Sequence, residues 1–222
     1  VAVTNSAAVL HGQGGIGKST LARHYAEIHG GEYHGILWVR AETRQSLIDG
    51  LTGLCAPLDL PVPDQATETH AKAVVAKIQT SGQRWLFIYD NVEALADITD
   101  LIPQNAHLIV TSRAGTGWPG WQVLPTDVLA FDTPDAAGTQ LLMQAAARGD
   151  DAPGAMRLAA DLGGLPLGLV VMGAYVREQG GTWDENRARL AEVLDKAPVN
   201  ENYPTSILGA VTLSLHRLPP DA

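Results

Sequence analysis

The segment Gly12-Gln13-Gly14-Gly15-Ile16-Gly17-Lys18-Ser19-Thr20 satisfies GxxxxGK[ST] and constrains the fold more than any other part of the chain. Glycines at these places let the backbone turn so tightly that successive N–H groups converge on one point, where a polyphosphate supplies the negative charge they lack. Lys18 would reach the β- and γ-phosphates, and the Ser19 hydroxyl would ligate Mg²⁺. Such a loop has to connect a buried strand to a helix. Ala7-Ala8-Val9-Leu10 is an apolar run fit for the strand, and Leu21, Tyr25 and Ile28 recur at helical spacing until Gly30-Gly31. The bland alternative is a tight turn with no ligand. The same stretch also reads Gly12-x-Gly14-x-x-Gly17, the dinucleotide fingerprint of nicotinamide and flavin oxidoreductases. That reading needs an acid about 20 residues on. Glu42 lies 25 residues past Gly17, beyond Arg40, and the fingerprint has no use for Lys18-Ser19.

A chain of 222 residues with 45% hydrophobic content can bury a full core. Its net charge of −9, with no lysine or arginine run, argues against a general nucleic-acid binder, so no nucleic acid is expected to bind through this fragment. Leu165 to Val176, the longest nearly apolar stretch, is too short to span a bilayer, so no membrane role is expected. The single cysteine, Cys55, permits no internal disulfide and suits the cytoplasm; it follows Leu47, Leu51 and Leu54 on a helical face as a core residue. Eleven residues before Gly12 and an ending in Leu218-Pro219-Pro220-Asp221-Ala222 suggest a piece of a longer protein.

Further strands are expected at Gly35–Val39, Trp85–Tyr89 running into Asp90-Asn91, Leu108–Val110 running into Thr111-Ser112-Arg113, and, more weakly, Val123–Ala130 with Pro125 inside it. Amphipathic helices separate them, one through Leu47, Ile48, Leu51 and Leu54, another through Ala71, Val74, Val75 and Ile78. The fold class is therefore α/β, with a mostly parallel five-stranded sheet covered on both faces. From Phe131 the pattern is all helical. Thr133-Pro134-Asp135 predicts an N-terminus ahead of Ala137, Leu141, Leu142 and Ala145, and Asp151–Leu162 is a second helix. Leu165–Glu178, apolar nearly all round, suits the centre of a bundle; Thr182-Trp183-Asp184-Glu185 is a capping box. Pro198–Pro204 reads as a linker, and Ile207, Val211, Leu215 and Leu218 mark a final helix.

Asp90, at the tip of an apolar strand, has the chemistry of the carboxylate that holds Mg²⁺ on a strand neighbouring the loop. Arg113, at the tip of the next strand, is placed to contact a γ-phosphate; the alternative is a solvated arginine in a glycine-rich loop. Histidines 24 and 29 have no ligand partners in register, so no zinc site is expected. Trp118 and Trp121 suit either a partner interface or packing at the sheet edge.

With these motifs in order, the chain resembles the NB-ARC branch of the STAND class of signalling P-loop ATPases, switches found in bacterial multidomain sensors, plant disease-resistance proteins and apoptosome scaffolds. Gly12–Ala22 is similar to that family's GxGGxGKTTLA, Leu86–Val92 to its Walker B strand, Leu108–Arg113 to its sensor strand and Gly164-Leu165-Pro166-Leu167 to its GLPL motif. The resemblance implies that Pro166 lies against adenine, and that Ser206–Leu218 opens a winged-helix domain. It implies ADP or ATP with Mg²⁺, bound by Gly12, Gly14, Gly15, Ile16, Gly17, Lys18, Ser19, Thr20 and Pro166, with Ser19 and Asp90 on the metal and Lys18, Asp90 and Arg113 nearest the chemistry. The chain departs from the family at Asn91, where a second acid often stands. An amide cannot accept a proton, and Glu93 is the candidate substitute.

The expectation is a P-loop domain over 1–130, a helical lid over 131–199 and, over 200–222, a linker with the first helix of a truncated domain. An adenine nucleotide is clamped between the first two. The module is a regulatory switch, at most a weak ATPase, whose partners are other domains of the full-length chain and an ATP-dependent homo-oligomer. The rival reading is a small-molecule or nucleoside kinase.

Overall fold

The computed structural model describes residues 7–104, 106–195 and 205–215. These divide into two compact units, one of the described residues up to 12 and from 18 to 126, the other of residues 13–17 and the described residues from 127 on. The expected linker over 198–204 and Leu218 lie outside the described residues.

The first unit is built on five parallel strands: β1 (Ala7–His11), β2 (Gly35–Arg40), β3 (Trp85–Asp90), β4 (His107–Ser112) and β5 (Gln122–Pro125). Their order across the sheet is β2-β3-β4-β1-β5. Three helices accompany them: α1 (Lys18–His29), α2 (Arg44–Thr52) and α3 (Glu68–Thr80). Strand β3 alternates Leu86 and Ile88 towards one face with Phe87 and Tyr89 towards the other, and all four are fully buried. On the Phe87 and Tyr89 side, Leu47 and Leu51 of α2 and Val74 and Ile78 of α3 complete the larger core, as their spacing predicts. Cys55 and Trp118 are buried in this same core, with Trp121 packed against it. The two tryptophans thus serve packing.

Helix α1 covers the opposite face differently from expectation. Leu21, Tyr25 and Ile28 are 47%, 37% and 63% exposed, while Ala22 is fully buried against Leu10, Leu86 and Ile88. The loop dictates this rotation. Lys18 must turn inwards at the start of the helix, and Ala22 and Ala26, four and eight residues on, share its face. Alanines there let the helix lie close to the sheet.

Strand β5 stops at Pro125 instead of continuing to Ala130. It is an edge strand, where proline is tolerated, and Thr126 N–H closes the pairing on His11 O at 2.8 Å.

The second unit contains α4 (Ala137–Ala145), α5 (Ala152–Asp161), α6 (Pro166–Gln179), α7 (Trp183–Leu194) and α8 (Thr205–Leu215). Helix α6 is central, packing on both α4 and α8. Its Leu169, Met172 and Val176 join Leu142, Leu158, Leu162, Trp183 and Leu190 in the core. It is not buried all round, for Leu167 and Val170 are 39% and 43% exposed. Gly164, just before it, has φ +64 and sits so close to the chain that a Cβ would lie 2.3 Å from Leu129 O. The backbone bond Leu129 N–H to Gly164 O, 2.9 Å, requires that approach. The capping box is present: Thr182 accepts from Glu185 N–H and Glu185 from Thr182 N–H. Asp151 caps α5 through Gly154 N–H at 3.0 Å.

Thr133-Pro134-Asp135 does not cap a helix. It forms a turn, and α4 begins at Ala137 after Ala136, which offers no side-chain cap. The early donors are met by backbone instead, with Gly138 N–H on Ala130 O at 2.7 Å. Helix α8, read from sequence as the opening of a further domain, packs on α6 and α7. Among the described residues no helix is long and apolar enough to cross a membrane.

Candidate phosphate-binding site

Gly12–Lys18 connects β1 to α1, the order the motif requires. Gly15 and Gly17 adopt φ +77 and +96, left-handed conformations open to glycine without strain. Lys18 is only 7% exposed, and its Nζ donates to Gly12 O at 2.7 Å. The ammonium thus folds back over its own loop. Its pKa is lowered by burial first, then by the Arg113 charge, with Asp90 opposing.

Ser19 Oγ donates to Asp90 Oδ1 at 2.7 Å, joining residues 71 positions apart. The motif alone places Asp90 on the strand next to the loop, whereas β3 is not adjacent to β1. Strand β4 lies between β1 and β3. Ser19 reaches across its end because it sits on the first turn of α1, beyond the sheet.

The intervening strand contributes a residue that the motifs do not reveal. Pairing of Tyr89 with Val110 puts Asp90 next to Thr111. Thr111 Oγ1 donates to Asp90 Oδ1 at 2.6 Å and accepts Asn91 N–H at 2.8 Å. Thr111 is wholly buried and Asp90 is 9% exposed. One threonine therefore orients the carboxylate and closes the turn after it. The available signal was the strand-end Thr111-Ser112-Arg113 itself, read for its arginine alone.

Asn91 has φ +65, a conformation asparagine tolerates better than most residues. Its Nδ2 donates to Glu42 Oε1 at 2.9 Å. This engages the carboxylate that the dinucleotide reading needs for a ribose. That reading also fails on topology, since β2 stands at the far edge of the sheet with β3 and β4 between it and β1. Arg113 and Glu93 are exposed, and Arg113 acts on Lys18 through its charge. His29 pairs with Glu32 at 2.7 Å.

In the second unit, Ile16 is buried with Leu165 and Ile207. Leu167 N–H donates to Gly15 O at 3.2 Å. Pro166 occupies the first turn of α6 as an ordinary helix-starting proline, and its ring also borders the loop: a Cβ at Gly17 would lie 3.9 Å from Pro166 Cγ.

A hydroxyl and one carboxylate are hard oxygen donors, the kind Mg²⁺ takes alongside water and phosphate. Among the described residues no group of three or more His, Cys, Asp or Glu side chains could hold a metal by itself. The donor set fits a metal that arrives with a phosphate.

No family model matches the sequence, and no curated protein does. Solved structures are similar in fold. The Walker-type ATPase PABY2304 of Pyrococcus abyssi is 12% identical, with 96% of this chain and 71% of that one covered at a TM-score of 0.57. Cdc6p from Pyrobaculum aerophilum is 12% identical, with 78% of this chain and 56% of that one covered at 0.53. The match therefore spans little more than half the length of the Cdc6p chain. These likenesses show a P-loop ATPase fold.

Proposed function

We propose that the chain binds ADP or ATP with Mg²⁺ and serves as the regulatory switch of a larger cytoplasmic signalling ATPase of the NB-ARC type. The observation that carries the reading is the convergence of buried Lys18 and Asp90 with half-buried Ser19 at the end of the sheet where the glycine loop begins. Lys18 and the loop N–H groups of Gly12 to Thr20 hold the phosphates. Ser19 Oγ and the Asp90 carboxylate hold Mg²⁺, and their mutual hydrogen bond keeps both oxygens at one place. The metal, when bound, neutralises charge on the β- and γ-phosphates. Pro166 lies against the base.

Switching without rapid turnover is supported by Asn91. Its amide cannot act as a base, and its Nδ2 is committed to Glu42. Arg113 reports the γ-phosphate. Other domains of the full-length chain, and ATP-dependent self-association, supply the output; ligand shifts that equilibrium only by its difference in affinity between the two states.

The test is thermal stabilisation by Mg·ADP and Mg·ATP. At a hundredfold excess over the dissociation constant, ligand adds about 2.7 kcal/mol, and Lys18→Ala removes most of it. Arg113→Ala weakens ATP by about 1.5–3 kcal/mol and leaves ADP unchanged. Equal stabilisation of wild type and Lys18→Ala refutes the phosphate site. Rapid phosphoryl transfer to a small acceptor would make the chain a kinase.

A further inference from the structure

The middle of the phosphate-binding loop is packed by apolar side chains as a core residue would be. Ile16, Leu165 and Ile207 are 4%, 3% and 2% exposed and form one cluster, with Val211 packed against it. Ile207 is the member that comes from α8. Its Cδ1 fills the space beside Gly15, 2.5 Å from where a Cβ would stand, and Leu167 Cβ is 3.2 Å from the same point. The Gly15 carbonyl is held by Leu167 N–H. In a trans peptide the next N–H points opposite to that carbonyl. Holding Gly15 O therefore holds the direction of Ile16 N–H, one of the donors a phosphate would use.

We infer that Ile207 is a positioning residue for the phosphate-binding loop, so that seating of α8 and occupation of the loop by a polyphosphate are thermodynamically linked. The inference rests on the nucleotide reading above. A glycine-rich loop left free has many conformations to lose on binding. Packing by Ile207, together with Leu165 and the bond from Leu167, removes part of that loss in advance. Linkage is reciprocal, so an anion that binds the ordered loop also holds α8 in place.

The test uses the whole chain, with Mg·ADP and inorganic tripolyphosphate as probes, in wild type, Ile207→Ala, Ile207→Val and Leu213→Ala. Leu213 is a buried residue of the same helix that packs in the helical core and not in the loop cluster. Calorimetry below every variant's melting transition should show Ile207→Ala weakening both probes by roughly fivefold or more, the lower end of ordinary coupling. Ile207→Val should recover most of the affinity. Leu213→Ala should lower the melting temperature and leave affinity alone. Amide exchange over residues 205–215 should slow when Mg·ADP binds wild type, and slow less in Ile207→Ala. Affinity in Ile207→Ala within about twofold of wild type, under half a kcal/mol, overturns the inference. So does tighter binding, or an equal loss in Leu213→Ala. Failure of wild type to bind either probe overturns the nucleotide reading, and the inference with it.

Discussion

Thr111 donates its hydroxyl to Asp90 and accepts from Asn91 N–H while fully buried. An aspartate at a strand end is otherwise free to rotate; this bond selects one orientation, with Oδ1 also facing Ser19. Thr111→Val keeps the shape and removes both bonds, leaving the Asn91 N–H without its acceptor and Asp90 Oδ1 with the Ser19 bond alone. The expected cost is about 1–3 kcal/mol of unfolding free energy, read from the denaturant midpoint with the slope unchanged. A midpoint equal to wild type would mean that neither bond contributes. Lys18 illustrates the opposite case, a charge that the fold makes costly. Burial and the Arg113 charge lower its pKa, so the folded chain holds its proton less tightly than the unfolded one. Stability gains from this group as pH rises between the lowered and the ordinary value. An anion at the loop reverses the penalty by favouring the charged form.

The elements fit together through close approaches that only some residues allow. Gly163 and Gly164 both have φ +64, yet a Cβ at Gly163 meets nothing within 4 Å, while one at Gly164 lies 2.3 Å from Leu129 O. The pair separates conformational cost from steric cost. Gly163→Ala should lose only the left-handed penalty, about 1–2 kcal/mol. Gly164→Ala should lose that and a further 1–3 kcal/mol, roughly, from overpacking, seen as a lower melting temperature by circular dichroism. Equal losses would mean that the chain around Leu129 yields without strain. Helix α1 carries a related lesson. Its apolar residues mark a helix, but which face is buried depends on the loop that starts it, which turns Lys18, Ala22 and Ala26 inwards.

Across the molecule, a net charge of −9 leaves few cations to hold many carboxylates. In the first unit Arg44 and Lys72 serve two each: Arg44 contacts Asp100 at 2.7 Å and Glu68 at 3.4 Å, and Lys72 contacts Asp100 at 3.1 Å and Glu68 at 2.5 Å. The hydrogen bond from Arg44 is the main cause holding the Asp100 carboxyl well below its usual range, and Lys72 does the same for Glu68. A depressed carboxylate stabilises the fold fully above its unfolded pKa and loses that contribution as pH falls through the folded value. The groups are nearly half exposed, so the contribution is small and weakens in salt. The melting temperature of Asp100→Asn should therefore lie slightly below wild type from neutral pH to about pH 4, and the gap should narrow below it. A gap that stays constant down to about pH 2 would rule out the linkage.

What the sequence determined by itself is local. The strand, glycine loop and helix, the paired apolar faces of α2 and α3, and the capping box of α7 are each written within a dozen or so residues, because periodicity and turn chemistry act over that range. The same holds for Lys18, Ser19 and Asp90 as candidates, since residue type at a strand end or loop already states the chemistry. Tertiary structure decided what each meets. That Asp90 leans on Thr111, that β4 separates β3 from β1, that Asn91 is taken up by Glu42 and that Ile207 packs on the loop all follow from pairing between segments 20 to almost 200 residues apart. No periodicity encodes such partners: backbone hydrogen bonding is indifferent to which strand supplies it, and strand order is settled only when the buried faces compete for cover.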